Sequence, residues 1–208
     1  MPLLSTRSAY GLLAKMAHWL VAVAVLITVP LGFVTVQIND SAVAAGDMDT
    51  LKQTTRLLAL HQSLGVTILV AVLARLLLRL VNPTPPPPLR PRWLRAASAL
   101  SHAGLYALLI LVALSGWLLT SAQSFSLTVW GVVELPRMPV PETGPGIDAL
   151  AALHLGGAIV LVFVVVVHVV AVIQHHRIGH APLLNRMLLG HRGRPEGSAQ
   201  GGDGPRAH

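Results

Sequence analysis

Four stretches of the chain are apolar over about 20 residues or more, the length that an α-helix needs to cross the hydrocarbon core of a bilayer. They are residues 14–36, 57–81, 100–122 and 150–174. Polar segments or segments rich in Pro and Gly separate each stretch from the next. The pattern predicts an all-α integral membrane four-helix bundle formed by residues 1–178. A disordered tail is predicted for residues 179–208, which are rich in Gly, Arg and Pro.

The composition excludes an ordinary water-soluble domain. Hydrophobic residues make up 53% of the chain and charged residues only 11%, whereas soluble domains carry roughly 25% charged residues. The chain contains no cysteine. Disulfides, iron–sulfur clusters and thiolate zinc sites are therefore excluded, and so is any cofactor attached through a thioether.

The distribution of basic residues predicts the orientation of the chain. Most of the fifteen Lys and Arg residues flank the ends of the predicted spans on the side that holds both termini. The other side has only Lys52, Arg56 and Arg137. Because cytoplasmic loops are enriched in Lys and Arg, both termini are predicted to be cytoplasmic. The net charge of +7 is divided among three segments beside the membrane, which argues against nucleic-acid binding.

Histidines inside the predicted spans are candidates for function, because ionisable residues are costly in a membrane. His154 and His168 are fourteen residues apart in one span. This spacing places them on one helix face, at two depths about 21 Å apart. His18 lies at the cytoplasmic depth of His168, and His61 lies at the outer depth of His154. The pattern indicates two stacked cofactors, each between two histidines.

Pairs of neutral imidazoles suit the iron of non-covalently bound haem b. Zinc or copper favours ligands clustered at one depth together with carboxylate or sulfur groups. A single intramembrane histidine can also simply hydrogen-bond to a neighbouring helix, but two layers of paired histidines favour two haems. We predict that His18 and His168 bind the iron of an inner haem b and that His61 and His154 bind the iron of an outer one.

The fourteen-residue step also relates other residues in the spans: His18 to Gly32, His102 to Gly116, and His61 to Arg75. A glycine that faces a cofactor lets the helix backbone approach a large flat ring. Gly65, one turn after His61, lies on the same helix face, so Gly32, Gly65 and Gly116 are candidates for packing against a ring. Two interpretations of Arg75 remain open: it contacts a propionate of the inner haem, or it anchors the span at the cytoplasmic surface.

The motifs around these histidines resemble those of the bacterial cytochrome b561 family, which are four-helix di-haem proteins of the cytoplasmic membrane. The similarity covers roughly residues 8–178, and its pieces are AHWL, LHQSLG, SHAGLYALL and LHLGGAIVLVFVVVVHVVAVIQHH. The resemblance implies the same four axial ligands, His18, His61, His154 and His168. It also implies electron exchange with quinone and, in one branch of the family, oxidation of superoxide at the outer face.

Further candidate residues lie at the two ends of the bundle. The family pattern has histidines that match His102 and His175; these two, with Lys15 at a similar depth, are candidates for a quinone site. Lys52 and Arg56 are candidates for steering a small anion such as superoxide towards the outer haem. The long segment between the third and fourth spans, which contains Trp130, is predicted to form an interfacial lid over that haem.

Three functions are compatible with the sequence. The first is a self-contained quinone-linked oxidoreductase that takes electrons from an outer-face donor. The second is a haem-bearing relay subunit that docks to a dehydrogenase, hydrogenase or soluble cytochrome through its outer loops. The third is a membrane protein without redox function, a transporter or scaffold, which a spectrum without reducible b-type bands would indicate.

Overall fold

Each predicted apolar stretch lies within one long helix. The computed structural model describes residues 3–6, 9–82, 91–140, 144–177 and 186–188. The helices are α1 (Leu12–Ala45), α2 (Met48–Val81), α3 (Arg92–Ala122) and α4 (Pro145–Arg177). All four are long and apolar enough to cross a membrane, so the prediction of an all-α membrane four-helix bundle is confirmed. The end at which α1 begins and α4 ends is called the inner end below, and the opposite end is the outer end.

The α1–α2 hairpin continues past its apolar stretches at the outer end. Both helices have 34 residues, which corresponds to about 51 Å against a hydrocarbon core of about 30 Å. Gly46 ends α1 with a left-handed φ of 67°, and Asp47 caps α2 by accepting hydrogen bonds from the backbone N–H groups of Asp49 and Thr50. The Thr50 hydroxyl also donates to the Asp47 carboxylate and lowers the pKa of that group. This turn closes the hairpin outside the apolar region.

A band of apolar side chains occupies the centre of the bundle. α1 packs along α2, α3 packs along α4, and α2 also contacts α3. The buried cluster consists of Val21, Ala24, Val25, Ile68 and Val72, with Tyr106, Leu109 and Ile110 of α3 packed against it. Along α1 and α2 this band lies between the levels of the inner and outer histidines. Many large apolar side chains on the outside of the helices are exposed, as expected for a surface in contact with lipid.

A short β-hairpin, which the sequence did not predict, follows α3. β1 (Leu127–Val129) pairs antiparallel with β2 (Val133–Leu135), with Leu127 opposite Leu135, and β1 packs on α2. Strands of three residues are too short to produce a recognisable alternating pattern, which takes about 4–8 residues. The segment predicted as a lid therefore contains a hairpin that lies along α2.

The C-terminal region predicted as a disordered tail lies mostly outside the described residues. Its described part, residues 186–188, contacts the inner end of α1. The Met187 carbonyl accepts a hydrogen bond from Trp19 Nε1 at 2.9 Å, and the Leu188 carbonyl accepts one from Lys15 Nζ at 3.0 Å. This part of the chain is held against the bundle by two α1 side chains.

Candidate functional site

The outer layer contains two neighbouring histidine rings from different helices. His61 of α2 and His154 of α4 have ring centroids 6.1 Å apart, and their planes make an angle of 85°. Imidazole nitrogens bind a metal at about 2.0–2.1 Å, so two rings that share one metal atom have centroids about 6 Å apart. The separation of the two rings therefore fits a single iron atom held between them.

The hydrogen bonds of these rings leave one nitrogen of each available to a metal. His61 Nδ1 lies 3.0 Å from the Thr28 carbonyl oxygen, and His154 Nδ1 lies 3.0 Å from the Val112 carbonyl oxygen. A carbonyl oxygen can only accept, so each Nδ1 carries the proton and each Nε2 keeps its lone pair. Metal-bound histidines typically donate their second N–H to such a carbonyl, which fixes the ring orientation.

Two glycines allow the rings to lie directly on neighbouring helices. A Cβ atom at Gly32 would lie 2.7 Å from His61 Cε1, and one at Gly116 would lie 2.9 Å from His154 Cε1. Each glycine follows the carbonyl residue that binds its histidine by four positions, so both hairpins use the same local arrangement. Gly32 and Gly116 thus contact the imidazoles themselves. A Cβ at Gly65, in contrast, would meet nothing within 4 Å.

The inner layer brings three histidines and one arginine together. His102 and His168 are in ring contact, with centroids 5.2 Å apart and planes at 86°. Arg75, His168 and His102 lie near His18 in the same layer. His102 Nδ1 donates to the Ser98 carbonyl in the same helix at 2.6 Å. His168 therefore has two neighbours that could complete a pair, His18 from α1 and His102 from α3.

Arg75 connects three helices at the inner layer. Its Nε donates to the Tyr106 hydroxyl at 3.0 Å, and one terminal nitrogen donates to the Ala14 carbonyl at 3.2 Å. The half-buried guanidinium lies inside the bundle next to His18. It also lines a small pocket together with Arg79, His102 and Tyr106. Both interpretations of Arg75, a contact with a haem propionate and an anchor at the inner surface, stay predictions.

The other inner candidates occupy different surroundings. Lys15 is buried, with 3% exposure, and binds the Leu188 carbonyl. His175 is half-buried and lies seven residues after His168, within about 20° of the same helix face. Its neighbour His176 has a buried Nδ1 without a hydrogen-bond partner among the described residues. No role was predicted for His176 from the sequence.

The two outer cations differ in their electrostatic surroundings. Lys52 Nζ lies 3.3 Å from an oxygen of Asp49, and both side chains are well exposed. The negative charge of Asp49 therefore offsets much of the field of Lys52. Arg56 is exposed one turn further along α2.

The residues that orient the paired histidines were not predicted from the sequence. The carbonyls of Thr28 and Val112 cannot be recognised in a sequence because every residue carries one. Ser115 Oγ, 3.2 Å from His154 Nδ1, was also missed, although a serine immediately before Gly116 was a usable signal. Within the described parts of the chain, no group of three or more His, Cys, Asp or Glu side chains has metal-site geometry.

Four apolar helices that carry histidines in two layers, in a chain without cysteine, define a membrane protein that binds haem b non-covalently. The histidines of the outer layer fit haem b. Their rings are separated by the distance that two imidazoles on one iron atom require, and each Nε2 atom is free to bind the iron.

The comparisons with known proteins agree with this class. The chain belongs to the prokaryotic cytochrome b561 family, whose model matches residues 9–190. It is similar to cytochrome b561 homolog 2 of Escherichia coli (strain K12), with 28% identity over 187 residues that cover 88% of this chain and 93% of that protein. It is also similar to the probable superoxide oxidase CybB of Yersinia pestis, with 31% identity over 139 residues, or 64% of this chain and 76% of that protein. The protein is thus a haem b electron-transfer protein of the bacterial inner membrane.

Proposed function

We propose that the protein binds two haem b groups and transfers electrons from a donor at the outer face to quinone at the inner face. His61 and His154 hold the outer haem, and His18 and His168 hold the inner one. When bound, haem b supplies a one-electron change between ferric and ferrous iron. The observation that carries the proposal is the outer pair, 6.1 Å apart, with both Nδ1 atoms bound to carbonyls.

Superoxide is the donor that we propose for the outer face, with both termini in the cytoplasm. Support comes from the similarity to a probable superoxide oxidase and from the positions of Lys52 and Arg56 on the outer end of α2. Two superoxide anions would give up one electron each and leave as two O₂ molecules. One quinone would take up these two electrons and two cytoplasmic protons and become a quinol.

The inner pocket supports quinone as the acceptor. Arg75, Tyr106 and His102 line it, and His102 also contacts His168. We propose that His102 and His175 hydrogen-bond to the quinone oxygens and pass protons to them. Lys15 binds the Leu188 carbonyl and, in this proposal, supports the pocket by holding residues 186–188 in place.

The proposal is tested with the purified protein in detergent or nanodiscs. A haem assay should find two haem b per chain, and a redox-titrated optical spectrum should resolve two components. An enzymatic superoxide source with a short-chain ubiquinone should then yield quinol, and superoxide dismutase should abolish this yield. The His61→Ala variant should lose superoxide-driven reduction while dithionite still reduces its remaining haem.

A different result would favour the relay subunit. If superoxide fails to reduce a protein that holds two dithionite-reducible haems, the proposed donor is wrong. Co-purification of a dehydrogenase or hydrogenase subunit in that case would identify the donor as a protein docked at the outer face. A single haem per chain would contradict the two-haem proposal itself.

Arg56→Gln should slow superoxide-driven haem reduction a few-fold at low salt and should flatten its dependence on ionic strength, because a charge that attracts the anion is lost. Lys52→Gln should have a smaller effect, since Asp49 already offsets the charge of Lys52. Stopped-flow reduction rates over a series of salt concentrations measure both effects. Equal rates for Arg56→Gln and the unmodified protein at every salt concentration would rule out steering by this residue.

A further inference from the structure

The hairpin between α3 and α4 has an anchored tip. Its turn runs Val129–Trp130–Gly131–Val132, with Val132 N–H donating to the Val129 carbonyl at 3.0 Å. Both central residues have positive φ, 53° at Trp130 and 69° at Gly131, the signature of a type I′ turn. A tryptophan rarely adopts this conformation, and its cost has to be met by contacts elsewhere.

Two hydrogen bonds to α2 hold this strained tryptophan. The Trp130 backbone N–H donates to Ser63 Oγ at 2.9 Å, and its indole Nε1 donates to Thr67 Oγ1 at 3.2 Å. Leu127 packs beneath the hairpin with 3% exposure. The Ser63 hydroxyl and the Val129 carbonyl accept hydrogen bonds from the backbone N–H groups of Trp130 and Val132, and this pairing lowers the cost of placing those two donors in lipid.

The anchoring residues lie within the apolar part of α2. Thr67 is about 16 Å further along the helix axis than the charged Arg56. The outer end of α3 is close to the level of Gln62, because Gln62 donates to Thr120, two residues before α3 ends. Thr67 is about 8 Å deeper than Gln62. The Trp130 indole therefore reaches inward, below the outer end of α3, whereas its backbone N–H lies at the level of Ser63, next to Gln62.

The exposed side chains of the hairpin differ between its tip and its base. Trp130 and Val132 at the tip and Val133 beside it are 53%, 82% and 54% exposed. Thr128 and Glu134, which pair with each other nearer the base, are exposed and polar. Val70, one turn below Thr67 on α2, is 62% exposed and continues the apolar surface.

We propose that the tip of this hairpin, residues 130–133, is inserted into the outer leaflet of the membrane, with Thr128 and Glu134 at the headgroup level. The occupant of its exposed face is lipid, since that face is continuous with the apolar surface of α2. Ser63 and Thr67 lie about 200–240° around α2 from His61, so the hairpin covers the side of α2 away from the histidines. It anchors the outer half of the bundle in lipid and is not a lid over the outer haem.

The absence of cysteine from the chain makes single-site labelling direct. The haem-loaded protein in lipid nanodiscs is nitroxide-labelled at Val132→Cys or Glu134→Cys. Ala44→Cys, exposed in the last turn of α1, is the aqueous control, and Val166→Cys, 54% exposed on α4, is the lipid control. We expect the ratio of oxygen to nickel-chelate accessibility at Val132 to match that at Val166 and to exceed that at Ala44 several-fold. Glu134 should resemble Ala44.

Two outcomes at Val132 would overturn the proposal. A ratio equal to that of Ala44→Cys would place the tip in water, and protection from both reagents would place it against another protein, such as a second copy of the chain. In the Val132→Cys background, Thr67→Val removes the acceptor for the indole at nearly constant volume and should lower the ratio. An unchanged ratio there would show that the contact with Thr67 does not hold the tip in the membrane.

Discussion

The His18→Ala variant should retain one low-spin haem b per chain, whereas His102→Ala should retain two. In the proposed pairing, removal of His18 leaves His168 as the single histidine on the inner iron. The inner haem is then lost or becomes high-spin. His102 lies closer to the proposed quinone pocket, and its loss should affect quinone reduction while both haems stay bound. A haem assay combined with low-temperature EPR spectra of the oxidised protein measures both quantities.

This experiment decides which histidine shares the inner iron with His168, because His102 and not His18 is in ring contact with His168. If His102→Ala loses the inner haem and His18→Ala keeps it, the pair is His102 and His168. The His191→Ala variant, whose histidine lies outside the spans, is the matched control and should retain both haems. His61→Ala and His154→Ala should each remove the outer haem and leave the inner one.

Gly32→Ala should weaken or abolish binding of the outer haem although it adds a single methyl group. The new Cβ would lie 2.7 Å from Cε1 and 3.0 Å from Nδ1 of His61, so the ring has to move. Movement breaks the hydrogen bond from His61 Nδ1 to the Thr28 carbonyl and turns Nε2 away from the iron. Overpacking of this kind costs about 1–3 kcal/mol, equivalent to about 5- to 150-fold in haem affinity.

The matched control for this substitution is Gly156→Ala, where an added Cβ would meet nothing within 4 Å. Haem titration of the apoprotein gives the affinities, and the Soret band of the outer component reports its coordination. Gly116→Ala should behave like Gly32→Ala, because its Cβ would lie 2.9 Å from His154 Cε1. Unchanged haem affinity in both glycine variants would contradict the role of these contacts in positioning the imidazoles.

Much of the candidate site was predictable because helix geometry is local. A rise of about 1.5 Å and a turn of about 100° per residue fix the relative positions of His154 and His168 as soon as α4 is recognised as a helix. The same geometry places Gly32 in the outer layer, on the helix face that carries His18 in the inner layer. The apolar stretches fix the number of spans, since each backbone polar group in lipid has to be paired within its own helix.

Contacts between distant parts of the chain were not predictable in this way. Lys15 was a quinone candidate by depth, yet the structure places its ammonium on the Leu188 carbonyl. Trp130 was predicted to belong to a lid over the outer haem, yet it binds Ser63 and Thr67 on the other side of α2. Depth along a helix says nothing about which neighbour a side chain meets, because that depends on how the helices pack.

The sequence by itself determined the membrane solvent, the four helices, the two histidine layers and the kind of cofactor, because each follows from local composition and helix periodicity. Only the tertiary structure decided which backbone carbonyl binds each outer histidine, that Gly32 and Gly116 contact the imidazoles, and that three histidines share the inner layer. These features depend on the separation and rotation of helices joined by long-range packing, and helical periodicity does not encode either quantity.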